Sequence, residues 1–97
     1  MGYLEIDDVK FKEKMQEQDN EKNLDNFLKS KGKYQLIDDP YIARYIGFGE
    51  WFRLGKVYFI GNKMNVKTNT SNFQELKILL EEFSQTNKIN TKLEVIK

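Results

Sequence analysis

Lys56-Val57-Tyr58-Phe59-Ile60-Gly61-Asn62-Lys63-Met64-Asn65-Val66-Lys67-Thr68 is the stretch that organises this chain. Two runs of alternating character flank Gly61-Asn62, a pair suited to a two-residue hairpin loop of the II′ or I′ kind. Such a loop pairs Ile60 with Lys63, hence Phe59 with Met64, Tyr58 with Asn65 and Val57 with Val66. Cross-strand partners share a face. One face is therefore Val57, Phe59, Met64 and Val66, and the other carries Lys56, Tyr58, Ile60, Lys63, Asn65 and Lys67. The apolar face needs a cover.

That cover follows directly. Phe73, Leu76, Leu79, Leu80 and Phe83 recur at helical spacing, while Glu75, Lys77, Glu81 and Glu82 fall on the other side. Ser71 with Gln74, and Asn72 with Glu75, have capping-box spacing, which places the helix start near Asn72 and leaves Asn87 as its stop. Ile89, Leu93 and Val95 then alternate with Asn90, Lys92 and Glu94 in a last strand. The C-terminal half reads ββαβ.

Upstream, Tyr34-Gln35-Leu36-Ile37 is a short strand ended by Asp38-Asp39-Pro40. From Tyr41 to Gly47 two signals conflict. Asp39 before Pro40 starts a helix and Gly47 stops one, whereas Tyr41, Ile42, Tyr45 and Ile46 favour a strand. A helical turn is the expectation. At the N-terminus, Asp8 is a cap for a helix with Val9, Phe11 and Met15 as its apolar contacts, and Leu24, Phe27 and Leu28 form a second apolar set. On one continuous helix Phe27 and Leu28 would lie opposite Phe11 and Met15. This predicts a break near Asp19-Asn20 and two helices, the second ending before Gly32. Residues 12–23, with Met15 as their single apolar side chain, are the candidate mobile linker between them. The expected fold is α+β: N-terminal helices, then a small antiparallel sheet of three or four strands, all within one domain spanning 1–97.

Composition narrows the chemistry. The chain has 97 residues, 39% hydrophobic and 13% aromatic, which suffices for one core and not for two. It has no Cys and no His, so thiol nucleophiles, thiolate zinc sites, disulfides and histidine-based triads are excluded. No catalytic residue, metal ligand or cofactor is expected. The doublets Asp7-Asp8, Asp38-Asp39 and Glu81-Glu82 lack the fixed oxygen offsets of a calcium loop and read as caps or solvent-facing groups. Met1-Gly2-Tyr3-Leu4-Glu5-Ile6-Asp7-Asp8 has neither the basic start nor the apolar run of a signal peptide. The longest apolar run, Val57 to Ile60, is far short of a membrane span. A cytoplasmic protein with no membrane partner is expected. Fourteen Lys against two Arg, with nine Asn, reflect AT-rich codons and point to a bacterial or phage gene.

Charge is unevenly spread. Residues 1–50 hold eight basic and eleven acidic side chains (−3), and residues 51–97 hold eight and four (+4), giving the overall +1. Between Trp51 and Gln74 there is no Asp or Glu, but there are Arg53, Lys56, Lys63 and Lys67. Two readings of function follow. In the first, the chain is a non-catalytic module that binds another protein, a phage or mobile-element product acting on a host macromolecule. Its contacts are Arg44, Tyr45, Trp51 and Arg53, because Trp, Tyr and Arg dominate interface hot spots. Phe48 and Phe52, beside them, are expected to be buried. In the second, Lys56, Tyr58, Lys63, Asn65 and Lys67 bind nucleic acid, the aromatic stacking a base and the lysines holding phosphates. Whether the N-terminal helices cover that face decides between a solvated surface and one left for a partner or a homodimer.

A third reading comes from Gly32-Lys33-Tyr34 and, ten residues on, Tyr45-Ile46-Gly47. The pair resembles the signature of GIY-YIG endonucleases, with Lys33 where that family has an apolar residue. The resemblance implies phosphodiester cleavage, with Tyr34, Tyr45 and Gly47 matching the signature and Arg53 as its arginine. Glu75 or Glu81 would then be the metal-binding glutamate.

Overall fold

The computed structural model describes residues 8–96, with side chains from residue 12 onward. The element order is α1 (Asp8–Ser30), β1 (Tyr34–Ile37), β2 (Tyr41–Gly47), β3 (Glu50–Ile60), β4 (Lys63–Thr68), α2 (Thr70–Asn87) and β5 (Asn90–Val95). The five strands form one sheet in sequence order. The first four run as an antiparallel meander, and β5 joins β4 in parallel. The architecture is α+β. The C-terminal strand is parallel because α2 carries the chain back along the sheet before β5 begins, as a parallel neighbour requires.

The central hairpin has the register its sequence dictates: Ile60↔Lys63, Phe59↔Met64, Tyr58↔Asn65 and Val57↔Val66. Both helices pack on the face bearing Val57, Met64 and Val66, each at most 2% exposed. Leu24 and Leu28 of α1, and Leu76 and Phe83 of α2, are wholly buried in the same cluster with Ile42. Phe27 and Phe83 join the two helices, ring centroids 5.4 Å apart. Each of these aliphatic and aromatic side chains contributes about 1.5–3 kcal/mol by leaving water. Where α2 crosses β3, Gly55 is required. A Cβ there would lie 2.9 Å from Leu76 Cδ1 and 3.0 Å from the Lys67 carbonyl oxygen.

Several expectations are corrected. Residues 41–47 are a strand and not a helical turn. β2 is hydrogen-bonded on both sides, to β1 and β3, with Ile42 and Ala43 fully buried. That double pairing outweighs the helix-start signal of Asp39-Pro40. The sheet accordingly has five strands, one of them parallel. The N-terminal region is a single helix, so residues 12–23 lie within α1 and not between two helices. Asn20 does not cap a second helix. Its Nδ2 donates to the Gly61 carbonyl (3.3 Å), while Glu17 Oε2 accepts from Gly61 N (2.7 Å). The stretch faces solvent apart from these two side chains, which hold the hairpin turn. Met15, an expected apolar contact, is half exposed. Val9, Phe11 and the Asp8 cap fall outside the described side chains. α2 begins at Thr70, capped by Asn69, whose Oδ1 accepts from Asn72 N at 2.9 Å. Asn72 is buried and donates to the Leu54 carbonyl at 3.4 Å. Among the described residues, no helix is long and apolar enough to cross a membrane.

Candidate nucleic-acid interface

Strand alternation sends every second side chain away from the two helices. On β3 these are Lys56, Tyr58 and Ile60, opposite Lys67, Asn65 and Lys63 on β4. Tyr41 pairs with Lys56 and Tyr45 with Trp51, which extends the same face across β2. An extra residue, Leu54, interrupts the β2–β3 ladder between Ile42↔Gly55 and Ala43↔Arg53. This bulge keeps Arg53 in line with Tyr41. The Leu54 carbonyl is held by Thr68 Oγ1 (2.7 Å) as well as by Asn72.

No described helix covers this face: Tyr58 is 38% exposed and Ile60 66%. Its cations and tyrosines interleave. The Arg53 guanidinium lies 4.9 Å from the Tyr41 ring centre, and Lys56 Nζ lies 5.8 Å from Tyr41 and 5.3 Å from Tyr58. Lys67 Nζ lies 5.4 Å from Tyr58 on its other side. All are within cation–π range, which orders the long side chains without spending their charge. Tyr41, Arg53, Lys56, Tyr58 and Lys67 line an open depression of about 390 Å³. None of Lys56, Lys63 and Lys67 is in an ion pair among the described residues. On β5, Lys92 binds Glu94 at 2.9 Å. That hydrogen bond lowers the Glu94 pKa and raises that of Lys92, so the carboxylate borne here is already matched. Arg53 pairs with Asp38 at the edge.

The five side chains expected to contact nucleic acid thus share one uncovered face. The four expected to contact protein do not. Tyr45, Trp51 and Arg53 lie on this face, Tyr45 and Trp51 with ring centres 5.1 Å apart. Arg44 lies on the helix side, its Nε 3.0 Å from Glu75 Oε2 and its guanidinium over Phe52. The expected burial of Phe48 and Phe52 is wrong: Phe48 is fully exposed and Phe52 43% exposed. Both belong to a segment of β2–β3 that extends beyond the cover of the helices.

The residues that resemble the endonuclease signature are divided by the sheet. Tyr34 is buried on the helix side and donates its hydroxyl to Glu75 Oε2 (2.6 Å), whereas Tyr45 and Arg53 point the other way. Burial, reinforced by the hydrogen bond and charge of Glu75 and opposed by Arg44, pushes the Tyr34 phenol up to about 12. Glu81 is exposed on α2. No protein-family model, curated protein or solved structure matches this chain. Sequence reasoning missed Tyr41, which belongs to the site and was hidden inside the supposed helical turn. Its alternation with Ala43 and Tyr45 was the available signal.

Proposed function

We propose that this face binds single-stranded nucleic acid. The observation that carries the reading is the uncovered row Arg53–Tyr41–Lys56–Tyr58–Lys67, in which cation and aromatic alternate across three adjacent strands. Tyrosine faces accept bases of any sequence, each stacked base adding about 1–3 kcal/mol. The lysines beside them neutralise phosphates, which makes the affinity salt-dependent and largely sequence-independent. The overall charge of +1 does not oppose this, because the acidic excess lies in residues 1–50 and the cations of this face are clustered.

Fluorescence anisotropy with a labelled single-stranded oligonucleotide over a salt series tests the reading. Three phosphates held by Lys56, Lys63 and Lys67 give a log–log salt slope of about −2, at ~0.7 per contact. Changing all three to Gln removes that slope, and Tyr58→Ala weakens binding about tenfold or more at fixed salt. An oligonucleotide that fails to bind even at low salt sinks the proposal.

Protein binding stands as a second reading, favoured by the half-exposed Tyr45 packed edge-to-face against Trp51 on the same face. Its mark is a complex that tolerates salt and weakens on Trp51→Ala in a still-folded protein.

A further inference from the structure

Among the described residues, β2 has no neighbour on the β1 side beyond Tyr45, whose N–H donates to the Lys33 carbonyl (2.8 Å). Among the same residues, β3 has none on the β4 side before Gly55, which pairs with Thr68. The two strands therefore continue as a free ribbon that ends at Phe48-Gly49. Gly47, Phe48 and Gly49 all have positive φ (101°, 55° and 76°). This is the backbone of a tight hairpin turn whose first central position favours Asn, Asp or Gly. Phe48 occupies that position with its ring wholly in solvent. The conformation is costly for a residue with a Cβ, and a fully exposed ring returns nothing to the core. Within the ribbon, Gly49 N donates to the Tyr45 hydroxyl at 2.8 Å and so bridges the turn.

A strained and unburied aromatic is the kind of backbone outlier from which function is inferred. Its position gives the ligand class. The Tyr45–Trp51 pair behind it lies on the same face as the cation–tyrosine row, so Phe48 stands at one end of that row. From Tyr45 to Phe52 the ribbon bears one charge, Glu50, so it has no cation to grip a duplex backbone. It offers stacking surface alone. We propose that Phe48 is a wedge that stacks into the end of a duplex where one strand runs off onto the sheet. The ligand is a nucleic acid with a single-strand to double-strand junction. Exposed Phe side chains elsewhere act this way, inserting between base steps and unstacking them. The inference rests on the single-strand reading of the sheet face.

The test compares a tailed duplex, carrying 2-aminopurine at its terminal pair, with the tail alone. The wild-type protein binds the tailed duplex about tenfold more tightly than the tail, the equivalent of one stacking step of ~1.4 kcal/mol. The probe brightens as it is unstacked. Phe48→Asn suits the turn better than phenylalanine and so stays folded; it keeps the affinity for the tail and loses both the preference and the brightening. If the wild type binds the tail but shows no preference, or Phe48→Asn keeps it, the wedge is wrong and the face reading survives. Binding to neither probe overturns both. Concentration-dependent dimerisation abolished by Phe48→Asn, with no effect on either probe, assigns the tip to a second copy of the chain and overturns the wedge.

Discussion

Strand β3 leaves through Gly61-Asn62 at one end and is entered through Phe48-Gly49 at the other, and the two turns are held in opposite ways. At Gly61-Asn62 the positive φ (58°) falls on glycine, and α1 grips the turn with Glu17 and Asn20, one bonding to Gly61 N and the other to its carbonyl. At Phe48-Gly49 a phenylalanine bears a φ of 55°, and the turn is held from within the ribbon by the Tyr45 hydroxyl. The first turn serves the fold. Local propensity and tertiary contact agree there, as they do wherever a sequence specifies a single structure. The second turn opposes local propensity and presents its least suitable side chain to solvent, a cost with no return inside the molecule.

The boundary between the two regimes is Gly55, so the largest effect is expected there. Gly55→Ala puts a methyl group against Leu76 and the Lys67 carbonyl oxygen, and neither backbone nor helix can retreat freely. Overpacking of this kind costs about 1–3 kcal/mol. Urea unfolding measures it as a lower midpoint at unchanged slope. An unchanged midpoint would mean that α2 does not seat on β3 as described. Next comes the grip itself. Glu17→Ala with Asn20→Ala removes both bonds to Gly61, at about 1 kcal/mol each. Hydrogen exchange accelerates at Gly61 and its neighbours and stays unchanged at Gly49. Equal acceleration at both turns would erase the distinction between them. The third change has the opposite sign. Phe48→Asn relieves the left-handed strain and raises stability by about 1 kcal/mol, or roughly 4–8 °C in Tm for a chain of this size. A loss of stability would show that the Phe48 ring is used by the fold.

The same contrast explains what could be read from the sequence. The β3–β4 register was legible because turn chemistry and period-two alternation act locally and agree, and with it came Lys56, Tyr58, Lys63, Asn65 and Lys67 on one face. α2 was legible from its stripe, although its cap moved to Asn69 because the end of β4 sets where the helix starts. β2 was not legible: Asp39-Pro40 and Gly47 imitate helix boundaries, and only pairing on both edges reveals the strand. Nor was the continuity of α1. Asn20 has the chemistry of a cap, and its real partner, the Gly61 carbonyl, is 41 residues away. Strand direction in β5 depends on the path of α2, which its six residues do not encode. Phe48 misled for a different reason. Hydrophobicity argues for burial, but the tip of a ribbon that outruns its neighbouring strands offers a side chain little to pack against.

The smallest effect near neutral pH concerns the root of the free ribbon, where Tyr34 and Arg44 meet Glu75 of α2. Burial, then the hydrogen bond and charge of Glu75, raise the Tyr34 pKa from 10.0 to about 12 against the pull of Arg44. Between those values the unfolded chain has lost a proton that the folded chain still holds. Folding then binds the extra proton, so stability falls as pH rises from about 10 to about 12 and is unaffected by this group below 10. Tyr34→Phe flattens that decline and removes the tyrosinate absorbance component titrating near 12. Glu75→Gln leaves the hydroxyl a partner without the negative charge, so the component moves back toward 10. If it stays near 12 in Glu75→Gln, burial alone sets the shift. The ribbon is then anchored to α2 by packing and not by the carboxylate, and its root resembles its tip in owing nothing to a charged clamp.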